Sequence, residues 1–320
     1  MLKTADALHD AGYRVRVVST RHVEWAWAAD QSVMERRSWA WQVVDYDRSS
    51  ARLRQLATGA RFRAAQAAAT AIGPARVPFE VGVRGYSRVH DELVAAIASG
   101  RSDFVYGGTT GALAAVVAGA RRLGVSFALD LEDFHSAEQT GPGSALAHSL
   151  AERIESDVLS RATFLTTSSP MLAEAYNAKY GVRPRPIHNT FSLNCVPASN
   201  HERPLRLYWF SQTLGPGRGL DDVVSAAGRS GIAAELHIRA RQIPAYAAQL
   251  VARQRAEAPL LKVIFHDPAP PDRPAAAAGS CPVTLRGSAG RTGRPGLETD
   301  RATPQAGHTL GPSPWLLAPQ

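Results

Sequence analysis

Cysteine is nearly missing from this chain of 320 residues, with Cys195 and Cys281 its only copies. One pair supplies neither a disulfide framework nor a four-thiolate metal site. That usage suits a reducing compartment, so a cytoplasmic location is expected. Lysine is scarce too, confined to Lys3, Lys179 and Lys262, and no glycine-rich turn ends in the lysine–hydroxyl pair of an ATP-type phosphate loop. No stretch approaches the roughly 20 apolar residues that a membrane-spanning helix needs. Met1–Asp10 has a helical pattern but carries Asp6 and Asp10, unlike a secretory leader. A basic stripe interleaved with aromatics is also absent, which argues against specific nucleic-acid binding.

What remains is a chain with 45% hydrophobic and 20% charged residues, the balance of a soluble globular body. Its length suits two domains. The formal net charge of +8 comes almost wholly from arginine. A positive surface would suit nucleic acid, anionic lipid headgroups or a phosphorylated small substrate. A GC-rich coding sequence accounts for the same composition.

Periodicity predicts a helix over Met1–Asp10 and a strand over Arg14–Ser19, so the chain opens on a helix with no strand before it. A short apolar run at Trp41–Val44, a helical stretch at Ala51–Ala71 and a helix at Ser87–Ala98 follow. Next come strand Phe104–Tyr106, helix Ala112–Arg122, strand Val125–Asp130, helix Ser144–Leu159, strand Thr163–Thr167 and helix Pro170–Tyr180. Such alternation predicts an α/β fold with a mostly parallel sheet covered on both faces. A first domain over residues 1–192 and a linker over 193–204 precede a second, incomplete domain at 205–267. That domain reads as strand Leu205–Phe210, helix Leu220–Ala227, strand Ala234–Ile238, helix Pro244–Arg255 and strand Lys262–His266. Two similar units of this kind are expected to face each other across a cleft. Residues 268–320 are rich in proline, glycine and alanine and predict a low-complexity, disordered tail or a frame-shifted reading.

Three stretches carry the chemistry. In LRLYWFSQTLGPGRGLDDVV, Leu205–Val224, an apolar run stops on Gly215, Gly217 and Gly219 around Arg218, and a helix begins. Either this is an ordinary turn, or it brings helix-terminal amides and one planar cation to a phosphate. GGTTG at Gly107–Gly111 is a weaker form of the same idea, with Thr109 or Thr110 as helix cap and a structural turn as the simpler reading. DLEDFHSAE places Asp130, Glu132, Asp133, His135 and Glu138 just beyond a strand, where open α/β sheets hold ligands. This carboxylate–imidazole set suits sugar hydroxyls or a proton relay and lacks the spacing of a zinc site.

Other groups read more simply. Trp25 is placed to flank an acceptor groove, whereas Trp27, Trp39 and Trp41 read as packing. Glu152 and Glu155 fit the polar face of their helix, and His237 and His266 fit core or edge positions. His188 and Asn189 end a short strand, as cleft groups or as a backbone-bonded turn. Cys195 has no neighbouring base to activate it.

DLEDFHSAE, then ERIESDVLSRATFLTTSSPMLAEAYNAKYG with RPIHNTF, then LYWFSQTLGPGRGLDD occur in an order that resembles the retaining, sugar-nucleotide-dependent glycosyltransferases of family 4. The resemblance covers approximately Met1 to His266. It implies a GT-B-like pair of Rossmann-like domains, acceptor side first and donor side second. It implies a nucleotide sugar as donor substrate, no other cofactor and no metal, and a carbohydrate or lipid-linked acceptor. Peripheral membrane contact on the cytoplasmic face would then use the positive surface. His135 and Asp133 take the catalytic positions, next to the transferring sugar; Gly217, Arg218 and Gly219 face the donor diphosphate; Asn189 supports the base of the cleft. The family's first strand and its glycine-rich loop have no counterpart here. Nor does its pair of glutamates separated by seven residues, since Glu298 and Asp300 are the only acids after Arg273. The resemblance therefore implies a transferase truncated at its start and divergent or frame-shifted at its end, inactive as written, or else a non-catalytic remnant that serves as a binding or scaffold protein.

Overall fold

The computed structural model describes residues 2–109, 111–138, 143–188, 190, 204–268 and 283–286. The chain divides into two compact units after residue 189.

The first unit opens with α1 (Leu2–Asp10), β1 (Arg16–Arg21), α2 (Glu24–Met34) and β2 (Ala40–Asp45). β1 and β2 pair in parallel as a sheet of their own. One face of it meets Leu2 and Ala5 of α1 and Met34 of α2, which pack with Trp39, Val17 and Trp41. Val18 and Val44 point the other way, as strand alternation requires, into a cluster with Leu93, Val94 and Ile97. Three helices follow, α3 (Arg52–Ile72), α4 (Phe79–Tyr86) and α5 (His90–Ala98).

The rest of the unit runs β3 (Phe104–Gly108), α6 (Leu113–Leu123), β4 (Ser126–Leu131), α7 (His135–Glu138), α8 (Ala145–Val158), β5 (Leu165–Thr167), α9 (Pro170–Tyr180) and β6 (Arg185–Pro186). These strands form a parallel sheet in the order β3-β4-β5-β6. Ser169 caps α9 by accepting the N–H of Leu172, with Pro170 at the first helical position, a start signal readable in SSPML.

The second unit comprises β7 (Leu205–Thr213), α10 (Leu220–Ser230), β8 (Ala234–Arg241), α11 (Pro244–Glu257), β9 (Leu261–His266) and β10 (Val283–Arg286). Its parallel sheet has the order β10-β7-β8-β9. Ala234, Leu236, Ile238 and Ala240 alternate onto the buried face of β8, against Leu220 and Val224 of α10 and Leu250 of α11. Burial of Leu220, Leu236 and Leu250, each at 0% exposure, stabilises the unit by about 1.5–3 kcal/mol per side chain relative to exposure.

Three features differ from the sequence reading. α2 was not anticipated, because its tryptophans and glutamate resemble neither a strand nor a clean amphipathic stripe. The helix expected over Ser87–Ala98 begins at His90, behind a separate α4. Finally, β10 supplies a fourth strand to a sheet expected to hold three. Its Val-Thr-Leu run has β-branched strand propensity, in a region where composition masks it. The remainder of the expected tail, 269–282 and 287–320, lies outside the described residues.

Candidate functional site

The carboxyl ends of the first unit's strands gather three loops from DLEDFHSAE and its neighbours. Across β3, β4 and β5, the Tyr106 hydroxyl lies 2.6 Å from Thr166 Oγ1, which donates to Asp130 Oδ1 at 2.6 Å. Burial and the charge of Asp130 raise the Tyr106 phenol, so it stays protonated and serves as a donor. Just past β3, Thr109 adopts φ +80°, a left-handed backbone that strains a residue with a Cβ by roughly 1–3 kcal/mol and is concentrated at functional sites.

The loop after β4 hangs from its neighbour strand. Thr167 Oγ1 donates to the Leu131 carbonyl at 2.7 Å, and Ser168 Oγ donates to the Glu132 carbonyl at 2.7 Å. From below, Tyr176 of α9 holds it. Its hydroxyl accepts the His135 N–H at 3.3 Å and lies 2.9 Å from both the Asp133 carbonyl and Glu155 Oε1. Tyr180 donates to Glu155 Oε2 at 2.5 Å. Glu155 is thus a buried carboxylate, 1% exposed, gripped by two phenols. This corrects its reading as a polar-face residue. Glu152 is different: it pairs with Lys179 at 2.5 Å, and Lys179 donates to Ser136 Oγ at 3.0 Å. α8 and α9 therefore fix the start of α7 from both sides.

On this platform the five expected ionisable groups separate. Asp133 is exposed and His135 is buried at 2% exposure. Glu132 is half-buried, and burial together with the charges of Asp133 and Asp130 pushes its carboxyl up to about 7. A carboxyl titrating near neutrality in a strand-end loop suits proton transfer. Sequence reasoning counted Glu132 in the cluster without singling it out; its shift arises from burial, which composition does not reveal. Glu138 lies in α7, and its side chain is outside the described residues, as are Asn189 and Thr110. His188 is exposed.

In the second unit, β7 runs past its expected end at Phe210 to Thr213, with a register irregularity between those two residues. That stretch carries Ser211, whose Oγ accepts from Arg218 Nη1 at 2.8 Å. Leu214 closes the strand by donating its N–H to the Arg241 carbonyl at 2.8 Å. Gly217 and Gly219 take φ +73° and +79°, a conformation that a side chain would strain. Gly219 occupies the position before the first residue of α10. The turn thus joins a tethered guanidinium to the positive end of a helix dipole. Asp221 and Asp222 in the first turn of α10 oppose an anion there. Asp221 is drawn toward α11, accepting from Tyr246 Oη at 2.8 Å and pairing with Arg253 at 3.3 Å.

The tryptophans pack. Trp39 is 7% exposed and donates to Asp6 at 2.9 Å, Trp41 donates to Ser19 at 2.8 Å, and Trp27 stacks on Trp41 with centroids 5.3 Å apart. The side chain of Trp25 is outside the described residues. His237 and His266 stack with their rings joined at 2.9 Å. Among the described residues there is no helix long and apolar enough to cross a membrane, and no group of three or more His, Cys, Asp or Glu arranged to hold a metal ion.

Residues 1–190 match the glycosyl transferase 4-like domain. The chain belongs to that family. No curated protein matches it. Among solved structures, this glycosyl transferase 4-like chain is similar to the Anabaena protein Alr3699/HepE, solved in complex with UDP and glucose. That likeness has a TM-score of 0.55 and 16% identity, covering 88% of this chain and 69% of the Anabaena one. TarM of S. aureus has a TM-score of 0.47 and 10% identity, covering 60% of this chain and only 38% of its own. Arabidopsis thaliana UGT89C1 has a TM-score of 0.47 and 12% identity over 89% and 70%. The Anabaena likeness establishes the fold: two Rossmann-like α/β lobes with parallel sheets, of GT-B-like type.

Proposed function

We propose that this chain transfers a sugar from a nucleoside-diphosphate sugar to a hydroxyl of a carbohydrate or lipid-linked acceptor, with retention at the anomeric carbon. The observation that carries the reading is Arg218, tethered to Ser211 in a turn of left-handed glycines at the start of α10. Supporting it are the family of residues 1–190 and a fold neighbour whose structure holds UDP and glucose.

In the reaction, the bond between the anomeric carbon and the diphosphate oxygen breaks, and its electron pair leaves with the diphosphate. The acceptor oxygen bonds to the same face of that carbon, and its proton passes to the departing phosphate. Positive charge develops on the sugar and negative charge on the leaving group. Arg218 and the first amides of α10 are fixed before the reaction, so they stabilise the leaving charge without reorganisation. Gly217 and Gly219 let the backbone come close enough for those amides to matter.

The loop after β4 takes the sugar side. Asp133 is exposed there to orient hydroxyls, and His135 is seated by its backbone bond to Tyr176. Glu132, titrating near 7, holds a proton that can be exchanged with the acceptor's surroundings. Asn189 is assigned to support the base of the site, and the acceptor is reached from the cytoplasmic face of a membrane through the positive surface.

The test is sugar-nucleotide turnover by the intact chain and by Arg218→Ala. Loss of one preorganised donor to the leaving group is expected to lower kcat/KM by roughly a hundredfold. Equal turnover by the two proteins removes the diphosphate assignment.

A further inference from the structure

α3 is fastened on one side and apolar on the other. Its packed side carries Thr58, Gly59, Ala65 and Ala69, and a Cβ added at Gly85 of α4 would stand 3.3 Å from the Ala65 backbone. Arg88, ahead of α5, ties that side down by donating to Thr58 Oγ1 at 3.1 Å and to the Gln55 carbonyl. A surface helix held in this way ordinarily turns a charged or polar face to water. Here the outward stripe is Leu53, Ala57, Ala60, Ala64, Ala67 and Ala71, spaced by four and three residues along about 27 Å of helix. Leu53 is 84% exposed, and Leu56 on its flank is 52% exposed. α3 contains no aspartate or glutamate; the polar residues it exposes are Arg52, Arg54, Arg63 and Thr70.

Position adds to pattern. Arg54 donates to the carbonyl of Asp45, the last residue of β2, at 2.7 Å. The first turns of α3 therefore stand at the carboxyl end of β2. Arg88 lies over the Tyr46 ring, just past the same strand, at 5.6 Å. Arg16, at the start of β1, instead donates to the Ala96 and Ile97 carbonyls near the end of α5, at 2.8 and 2.7 Å. α5 thus runs from the carboxyl ends of β1 and β2 back to their amino ends, and β3 sets out from where it stops. The carboxyl ends of β3 and its parallel neighbour β4 consequently fall on the side of Leu53, with Glu132 and Asp133 just beyond β4.

An exposed apolar stripe rimmed by charge marks contact with a further surface. Leucines set among arginines, on a helix without acids, match a surface that is negatively charged outside and apolar beneath. Resting on the membrane-side acceptor proposed above, we infer that the outward stripe of α3 docks on an anionic lipid bilayer. Leu53 and Leu56 enter the headgroup layer, and the exposed Arg48, Arg52 and Arg63 meet lipid phosphates around them. A second copy of the chain fits less well, because pairing two such helices sets arginines against arginines with no carboxylate on either helix to offset them. Arg61 takes no part, being engaged by Asp91 and Glu92. A bilayer seated there lies on the side of the unit that carries Glu132 and Asp133, so a lipid-linked hydroxyl is presented to that loop directly.

The test is flotation of the full chain with vesicles of phosphatidylcholine containing about one-third phosphatidylglycerol, against vesicles of phosphatidylcholine alone. Binding is expected to the first and not to the second. Leu53→Ser with Leu56→Ser keeps every arginine and is expected to weaken partitioning by at least roughly tenfold. Arg52→Gln with Arg63→Gln keeps the leucines and is expected to weaken it to a similar extent, roughly tenfold. Ile232→Ser with Leu260→Ser, at exposed positions of the second unit, is expected to bind as the native chain does. Because all these side chains are exposed, thermal unfolding should be unaltered, and the arginine pair carries the test should the leucine pair not fold. No binding by the native chain, or equal binding by the native chain and both α3 variants, overturns the docking stripe. A native chain that dimerises without vesicles and turns monomeric in the leucine variant gives the stripe to a second copy, which also overturns it. No donor or nucleotide is present in these measurements, so their failure is distinct from failure of the Arg218 reading, which turnover by Arg218→Ala decides.

Discussion

At the scale of single residues, the loop after β4 is governed by where its carboxylates are buried. Glu132 has its carboxyl raised from 4.5 to about 7, so the folded chain binds that proton more tightly than the unfolded chain does. Stability is then lost as pH rises from about 4.5 to about 7, by roughly 2 kcal/mol after allowance for partial exposure. Thermal unfolding across this range is expected to follow that fall in the native chain and to lack it in Glu132→Gln; parallel profiles contradict the assignment. Tyr176→Phe removes the hydroxyl that serves Glu155, His135 and Asp133 together. With a buried carboxylate oxygen left short of a donor, a loss of about 1–3 kcal/mol is expected in urea unfolding. A change within measurement error would mean that the loop is held by other contacts. The burial of Glu155 was misread as a polar-face position, although Ala151, Ile154 and Val158 mark a buried stripe beside it. Tyr176 gave no such sign, because its partners lie on elements distant in sequence. The glycine turn around Arg218 was legible, whereas the tether of Arg218 to Ser211 depended on β7 continuing past Phe210.

At the scale of elements, most helices and strands follow from hydrophobic period, and the exceptions have physical causes. Period marks α8, whose Leu150, Ala151, Ile154 and Val158 form one buried stripe. It fails for α2, where aromatic bulk hides the stripe, and for β10, a four-residue strand set in proline-rich chain. Close helix approach is equally invisible in the sequence. A Cβ added at Gly228 of α10 would stand 2.1 Å from the Glu257 carbonyl oxygen at the end of α11. Gly228→Ala gains helix propensity of about 1 kcal/mol, yet the clash is with backbone and costs about 1–3 kcal/mol. The clash is expected to win, giving a net loss of up to about 2 kcal/mol in chemical denaturation. A stabilised variant would show that α10 and α11 sit further apart.

At the scale of the whole molecule, alternation of strand and helix made the fold class and two-unit organisation readable, and the +8 charge did not choose a partner by itself. In the proposed function that choice rests on where cations are held: Arg218 is fixed by Ser211 in a glycine turn, while Arg61 and Arg84 are engaged by Asp91. The account's central claim is that the β7–α10 turn receives a diphosphate. Calorimetric titration of the intact chain and of Arg218→Ala with nucleoside diphosphates addresses it directly. Saturable binding by the intact chain, weakened about ten- to a hundredfold in the variant, is the predicted result. No binding by the intact chain, or identical binding by both, contradicts it.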